Sequence, residues 1–517
     1  MKGTKDLLEF WEDQVRRSHS SSNYFFRKSP SHYHMMLLVM NSYKKGEKLS
    51  VEELKTKLFK TSRPKSALII NEACENNFFY LEKTSTDQRK KNIKPTDTFV
   101  KEFDEYFIYS IKMNSQNFLQ KKDVNQTTWS HWLTVIEPKK VKVETSLLVI
   151  GAGDTNDPLP KTQNELIQLA LASNSIVSEL RAIPNQPLKF SDESFPRWED
   201  AIIAYTWNKF FLTGDSRWPA RMAMTKSAIA AMDTIQIVFK KNNIKDFVIT
   251  GASKRGWTTW TAAATDSRVI AIIPLVIDML NIKPSFEHHW QAYGFWAPAV
   301  QDYVDINIMD WWGSLESEAL FKIVDPFSYK DRYQFPKYII NAAGDEFFIP
   351  TSSQFYYGQL PGEKHIRYVP NVGHSLNGSY ILESILSFYM SILNKTSRPK
   401  YNFNFLENGQ IEFIPENQPT VVKIWWAENS LARDFRIDVI GKSWKSELIT
   451  INSEGKYVSS IEGPNKGWRA YFLEAQYNTS SSIPFVVTSE VKVSPDILPF
   501  EYVDPINPKG FLSKNLE

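Results

Sequence analysis

The chain has 517 residues, which at roughly 150 per domain allows about three domains or fewer. With 42% apolar and 23% charged residues its usage is that of a globular protein, which excludes a disordered, collagen-like or low-complexity chain. A net charge of +3 gives no basis for a nucleic-acid partner, and a lone cysteine, Cys74, excludes an intrachain disulfide or a thiolate metal cluster.

Aromatic residues are abundant, with 33 Phe, 22 Tyr and 16 Trp, enough to fill a sizeable core and line clefts besides. No run reaches the roughly 18 apolar residues that a membrane helix needs, so no membrane span is expected. Asp6, Glu9, Glu12 and Asp13 stand where a signal peptide would carry its apolar stretch. The expectation is a cytoplasmic protein or one exported without a leader, with a secreted or periplasmic location if a leader was removed. Four N-x-[ST] triplets, at Asn125, Asn377, Asn394 and Asn478, decide nothing without knowledge of the compartment.

Residues 1–75 read as a helical extension. Leu7, Leu8, Phe10, Trp11 and Val15 fall near helical spacing, VEELKTKLFK alternates charge along a helix face, and HSSSNYFFRKSPSHYH between them is loop-like. EYFIYSIKM and HWLTVIEP then read as early strands of a sheet, with the basic DQRKKNIKP before them as a loop. In the centre, TSLLVIGAG (145–153), SIVSELRAI, KDFVITGAS, VIAIIPLVI (269–277), KYIINAAGD (337–345) and KHIRYVP (364–370) are buried strands. NELIQLALAS and the long ARMAMTKSAIAAMDTIQIVFKK (220–241) are helices between them. Strands alternating with helices predict a doubly wound, mostly parallel α/β sheet over 76–396. An aromatic-rich stretch, about 281–335, interrupts it as a helical cap. Beyond about 396 the runs alternate apolar and polar residues between turns such as NSEGK and GPNKG, which predicts an antiparallel β-sandwich over 397–517.

Ile249-Thr250-Gly251-Ala252-Ser253-Lys254-Arg255-Gly256 ends one buried strand and opens a helix. A serine on such a tight elbow has its hydroxyl thrust out at the C-terminal edge of the sheet, and small neighbours are needed because backbones approach closely there. A serine merely capping a helix would look the same locally. The partners follow in the order that an elbow serine requires: Asp345 ends a strand 92 residues later, and His374 ends the next after another 29. His365 sits at the wrong end of its strand. His374 is expected to take the Ser253 proton as Oγ attacks a carbonyl, and Asp345 to fix the imidazole tautomer. The Lys254 amide, with one from Gly153 or Asp154 in the turn after TSLLVI, would hold the oxyanion; a simple sharp turn is the plainer reading of that glycine pair.

Where most elbows carry glycine two residues after the serine, this one has Arg255, with Gly256 one later. Arg255, with Lys254 a cationic rim, is expected to steady the oxyanion, to recognise a substrate carboxylate, or to pair with a structural acid such as Glu199, Asp200 or Asp278. In the cap, His288, Trp290, Tyr293 and Trp296 are substrate-lining candidates, with packing of cap onto core as the alternative. Glu287, His288 and His289 do not suggest a metal, since adjacent residues do not share a helix face. No metal or cofactor is expected.

The blocks PNQPLKF, RWEDAIIAYTWNKFFLTGDSRWPARMAMTKSAIAAMDT, FVITGASKRGWTTWTAAATDSRV, IPLVIDMLN, YGFWAPAVQDY, VDPFSYKDR, NAAGDEFFIP and PNVGHS, with ARDFR and GWRAYFLEA in the tail, resemble the PhoPQ-activated pathogenicity-related family. That family includes autocrine proliferation repressor-like secreted proteins. The resemblance spans about 100–480. It implies an α/β-hydrolase fold, Ser253, Asp345 and His374 at the triad positions, and a virulence- or host-interaction role. The expected activity is a serine hydrolase (esterase- or peptidase-like) acting on a small acyl or peptide substrate. The alternatives are a prolyl-type peptidase and a noncatalytic signalling or binding protein, whose C-terminal sandwich would dock a protein partner.

Overall fold

The computed structural model describes residues 22, 25, 26, 28–58, 61–83, 90–459, 463–479 and 483–515. The helical spacing of Leu7 to Val15 falls outside them. The chain divides into two compact units, one of residues 1–112, 132–142 and 157–178, the other of 113–131, 143–156 and 179–517.

The first unit holds helices α1 (Pro30–Lys44), α2 (Val51–Lys57) and α3 (Arg63–Glu75), the pair β1 (Phe79–Lys83) and β2 (Lys91–Pro95), and α4 (Asp97–Glu105). Two readings change here. Half of the predicted basic loop is strand β2, antiparallel to β1, because Ile93 turns inward with Phe79 while the lysines stay out. The loop predicted around His32 is the first turn of α1, which proline opens. Met35, Leu54, Ile70, Phe79 and Phe99 belong to this unit's own core.

The chain continues through β3 (Tyr106–Asn117), β4 (Thr128–Pro138), β5 (Thr145–Ile150), α5 (Asn164–Ser173), β6 (Val177–Leu180), α6 (Glu199–Thr213), α7 (Ala220–Val238), β7 (Asp246–Ala252), α8 (Lys254–Thr265) and β8 (Val269–Leu275). After the cap come β9 (Lys337–Ala342) and β10 (Lys364–Val369). The eight strands lie in the order β10-β9-β8-β7-β5-β6-β4-β3, and β5, β7, β8, β9 and β10 pair in parallel. The sixth strand lying outside the fifth, with Ser253 on the turn after β7, is the α/β-hydrolase arrangement.

Helix α7 forms because alanine and methionine recur where burial needs them. Ala220, Ala223, Met224, Ser227, Ala228, Ala231, Met232 and Ile235 make a buried stripe at alternating spacings of three and one. Their small side chains let α7 lie close beside α8. The cap is helical, with α9 (Ile282–Tyr293) and α10 (Leu315–Val324). Helix α11 (Ile381–Leu393) closes the hydrolase portion.

The tail forms two antiparallel sheets. One holds β11 (Tyr401–Phe405), β12 (Ile411–Pro415) and β15 (Tyr457–Val458); the other holds β13 (Val421–Asn429), β14 (Lys445–Leu448), β16 (Trp468–Tyr477), β17 (Phe485–Thr488) and β18 (Lys492–Ser494). The sandwich ends at Ser494. The residues after it return to the cap, where the Phe500 amide donates to Gln291 O and Glu316 accepts from the amides of Leu512 and Ser513. Among the described residues, no helix is long and apolar enough to cross a membrane.

Candidate active site

Strand β7 delivers Ser253 with φ 58° and ψ −127°, a backbone conformation that L residues rarely hold. Two glycines make this turn sterically possible. A Cβ on Gly251 would lie 2.7 Å from Arg255 O, and one on Gly256 would lie 2.9 Å from Leu275 O and 3.0 Å from Gly251 O. The displaced glycine of the motif therefore stands where α8 crosses β7 and the end of β8. The Lys254 amide opens α8 and has no intrahelical acceptor.

Asp345 and His374 come from the ends of β9 and β10 and meet. His374 Nδ1 lies 2.9 Å from each carboxylate oxygen of Asp345. Asp345 is buried and accepts the amides of Phe347 and Phe348 at 2.8 and 3.2 Å, so its carboxylate cannot turn away. The Glu346 carboxylate accepts the His374 amide at 2.6 Å, and the Phe347 ring sits 4.2 Å from the imidazole. These contacts fix the His374 backbone, one edge of its ring and one face, and leave Nε2 buried without a hydrogen-bond partner. No hydrogen bond joins it to Ser253 in this state; such contacts often tighten only when substrate is bound.

Ser253 opens onto a small cavity of about 30 Å³. Its apolar wall comes from Trp207, Trp257, Met279, Phe286, Phe347 and Phe348, and its polar lining includes Asp200, Arg221, Lys254 and Tyr303.

The cations beside the serine are engaged. Arg255 Nη2 donates to both Glu199 oxygens at 2.6 and 3.0 Å, and Lys254 Nζ lies 2.9 Å from Glu199 and 2.8 Å from Asp200. Burial works against the Glu199 charge, yet Lys254 and Arg255 hold its carboxyl down at about 2. Both acids stand in the first turn of α6, where the helix dipole favours them. Of the three roles weighed for Arg255, the structure has it pairing with Glu199; it does not line the cavity.

Gly153 and Asp154 lie in the turn after β5. The Gln186 amide donates to Gly153 O at 3.0 Å and to Glu199 at 2.8 Å, which ties that turn to the ion pairs. Asp154 accepts from the Asn156 amide and, at 3.3 Å, from Trp198 Nε1.

The cap candidates are corrected. Of α9, only Phe286 reaches the cavity; His288, Trp290, Tyr293 and Trp296 do not line it. His288 Nε2 is bonded to Thr351 Oγ1 at 2.8 Å, and His289 Nε2 accepts the Ala297 amide at 3.0 Å. Trp290 packs on Trp296, and Tyr293 lies under the Arg436 guanidinium. Trp290 and Tyr293 share the helix face of Phe286 but stand further along the helix, past the cavity. Sequence reading passed over Arg221 and Tyr303, and weighed Glu199 and Asp200 only as structural partners of Arg255. A PNQP-to-WED pairing signal is visible only once the fold is known.

A curated relative, autocrine proliferation repressor protein A of Dictyostelium discoideum, is 37% identical over 441 residues, covering 79% of this chain and 89% of its own. Among solved structures, acetyl xylan esterase 1 of Thermoanaerobacterium sp. is 14% identical with a TM-score of 0.41, covering 63% of this chain and 92% of its own. The Pyrococcus horikoshii acylaminoacyl peptidase is 14% identical with a TM-score of 0.40, covering 62% of this chain and 48% of its own. The family model for the PhoPQ-activated pathogenicity-related protein matches residues 81–436, and the chain belongs to that family.

Proposed function

We propose that the protein is a serine hydrolase that cleaves ester or amide bonds through an acyl-enzyme. The observation that carries this reading is a serine held at φ 58° on the elbow after β7, opening onto a cavity whose Phe347 also packs on a histidine oriented by Asp345. His374 Nε2 takes the Ser253 proton as Oγ bonds to the substrate carbonyl carbon. The Lys254 amide, with one from the Gly153–Asp154 turn, receives the oxyanion. The imidazolium returns its proton to the departing alcohol or amine, and water then releases the acyl group by the same steps in reverse order. Asp345 holds the proton-bearing Nδ1 so that Nε2 is the base.

The test is hydrolysis of a short-chain aryl ester and an aminoacyl arylamide by wild type and Ser253→Ala. Loss of about 10³-fold or more in kcat is expected; unchanged turnover in the variant would defeat the reading. The name of the Dictyostelium relative favours a second reading, a noncatalytic signal that docks a protein partner through the C-terminal sandwich. In that case a growth-repression assay gives the same response with Ser253→Ala as with wild type.

A further inference from the structure

The Ser253 cavity contains one cation that the site's ion pairs leave over. Arg221, on α7, is 4% exposed and lines the cavity. Its guanidinium carbon lies 3.7 Å from the Trp257 ring centroid and 5.7 Å from that of Trp207. Nη2 reaches the Tyr303 hydroxyl at 3.5 Å, while Nε and Nη1 have no partner. Three N–H bonds are thus buried without an acceptor, an arrangement that costs stability unless something arrives to accept them.

The neighbouring acids are committed elsewhere. Asp200 binds Lys254 at 2.8 Å and accepts the Tyr303 hydroxyl at 3.0 Å. Asp325 accepts the amides of Asn281, Ile282 and Phe327 at 3.3, 2.8 and 2.9 Å. With Lys254 and Arg255 set against Glu199 and Asp200, the Arg221 charge remains, facing a space of about 30 Å³ beside the serine. That is room for about two water-sized groups, which suits the two oxygens of a carboxylate.

We propose that Arg221 receives a carboxylate on the acyl group of the substrate, so that the enzyme prefers half-esters of short dicarboxylic acids to neutral esters. This rests on the serine hydrolase reading given above. The anion belongs to the acyl side because the acyl group stays on Ser253 through both steps, whereas the alcohol must leave for solvent after the first. In the reaction, the Oγ–C bond forms and the C–O bond to the alcohol breaks, the His374 proton leaving with the alcohol. Water then displaces Oγ, releasing the dicarboxylic acid. The carboxylate held by Arg221 is a spectator throughout.

The experiment compares monomethyl glutarate with its neutral counterpart, dimethyl glutarate. Wild type should favour the half-ester in kcat/KM by about tenfold or more, and Arg221→Met should reduce that ratio by about tenfold or more, the size expected when a charged hydrogen bond is lost. An equal ratio in the two proteins, or a wild type that favours the diester, overturns the proposal. Should Arg221→Met not fold, glutarate must inhibit wild-type diester hydrolysis where neutral glutaramide does not; equal effects of the two overturn it as well. Failure of the parent reading looks different. Neither ester is then cleaved, yet glutarate raises the melting temperature of wild type and not of Arg221→Met, which leaves the anion site standing.

Discussion

Two of the helices that reach the Ser253 cavity bury their polar residues by opposite means. The first turn of α8 buries Lys254 and Arg255 as ions, each within 3.0 Å of Glu199 or Asp200. Helix α9 buries His288 and His289 with no acid against them, and burial together with nearby Arg433 and Arg436 pushes both imidazoles down to about 3. The difference teaches that a buried imidazole, unlike a guanidinium, goes neutral where no counter-charge stands at hydrogen-bond distance. Asp278 is a third case. It is fully buried, accepts the Tyr356 and Tyr368 hydroxyls at 2.7 and 2.6 Å, and burial pushes it up to about 8.

The largest expected effect tests the polar arm that joins neither helix. Asp345→Asn should lower kcat for ester hydrolysis by about 10³–10⁴-fold, because the amide no longer holds the His374 tautomer. Steady-state kinetics beside circular dichroism separates this from unfolding.

Next comes the ionic cluster of α8. Glu199→Gln leaves Lys254 and Arg255 with fewer counter-charges, and a loss of about 1–3 kcal/mol is expected in denaturant unfolding, kept at the low end because the Glu199 side chain is 36% exposed. Its folded carboxyl sits at about 2 against an ordinary 4.5, so its contribution is complete above the unfolded value and disappears as pH falls toward 2. The acid limb of the stability curve should therefore flatten in the variant. A curve identical to wild type would remove the ionic side of the comparison.

Asp278 should act with the opposite sign. The folded protein holds its proton up to about pH 8 while the unfolded chain loses it near 3.8, so stability declines as pH rises between those values. Asp278→Asn should remove that decline, read by thermal melts between pH 4 and pH 8.

The smallest effect belongs to α9. His288→Leu should cost about 1 kcal/mol, from an unpaired Thr351 hydroxyl, and the cost should be equal at pH 5 and pH 8 since the imidazole is neutral at both. A penalty that changes between those pH values would show that the α9 histidines carry charge after all.

Much of this molecule was legible because its signals are local. Continuous apolar runs such as VIAIIPLVI mark strands buried on both faces, and the glycines around Ser253 announce a tight elbow. Asp345 and His374 could be picked out because each follows a strand by a short turn. Charge pairing was harder to read, since Glu199 and Lys254 stand 55 positions apart and only folding puts them 2.9 Å apart. Nothing local marks Arg221 in its alanine-rich helix; its burial depends on Trp207, Trp257 and Tyr303 from three other segments. The adjacent histidines of α9 drew attention by residue type, but the α9 residue that lines the cavity is Phe286. Strand β2 was hidden by its lysines, which break the apolar alternation although Asn92 and Ile93 between them are buried.

The central claim is that Ser253 is a nucleophile activated by its surroundings. A fluorophosphonate probe applied to wild type, His374→Ala and Ser253→Ala, followed by mass mapping of the peptide that spans 249–256, tests it most directly. The account predicts one phosphonyl adduct on Ser253 in wild type, slow labelling in His374→Ala and none in Ser253→Ala. Folded wild-type protein that takes up no probe, or takes it up at another serine, would contradict it.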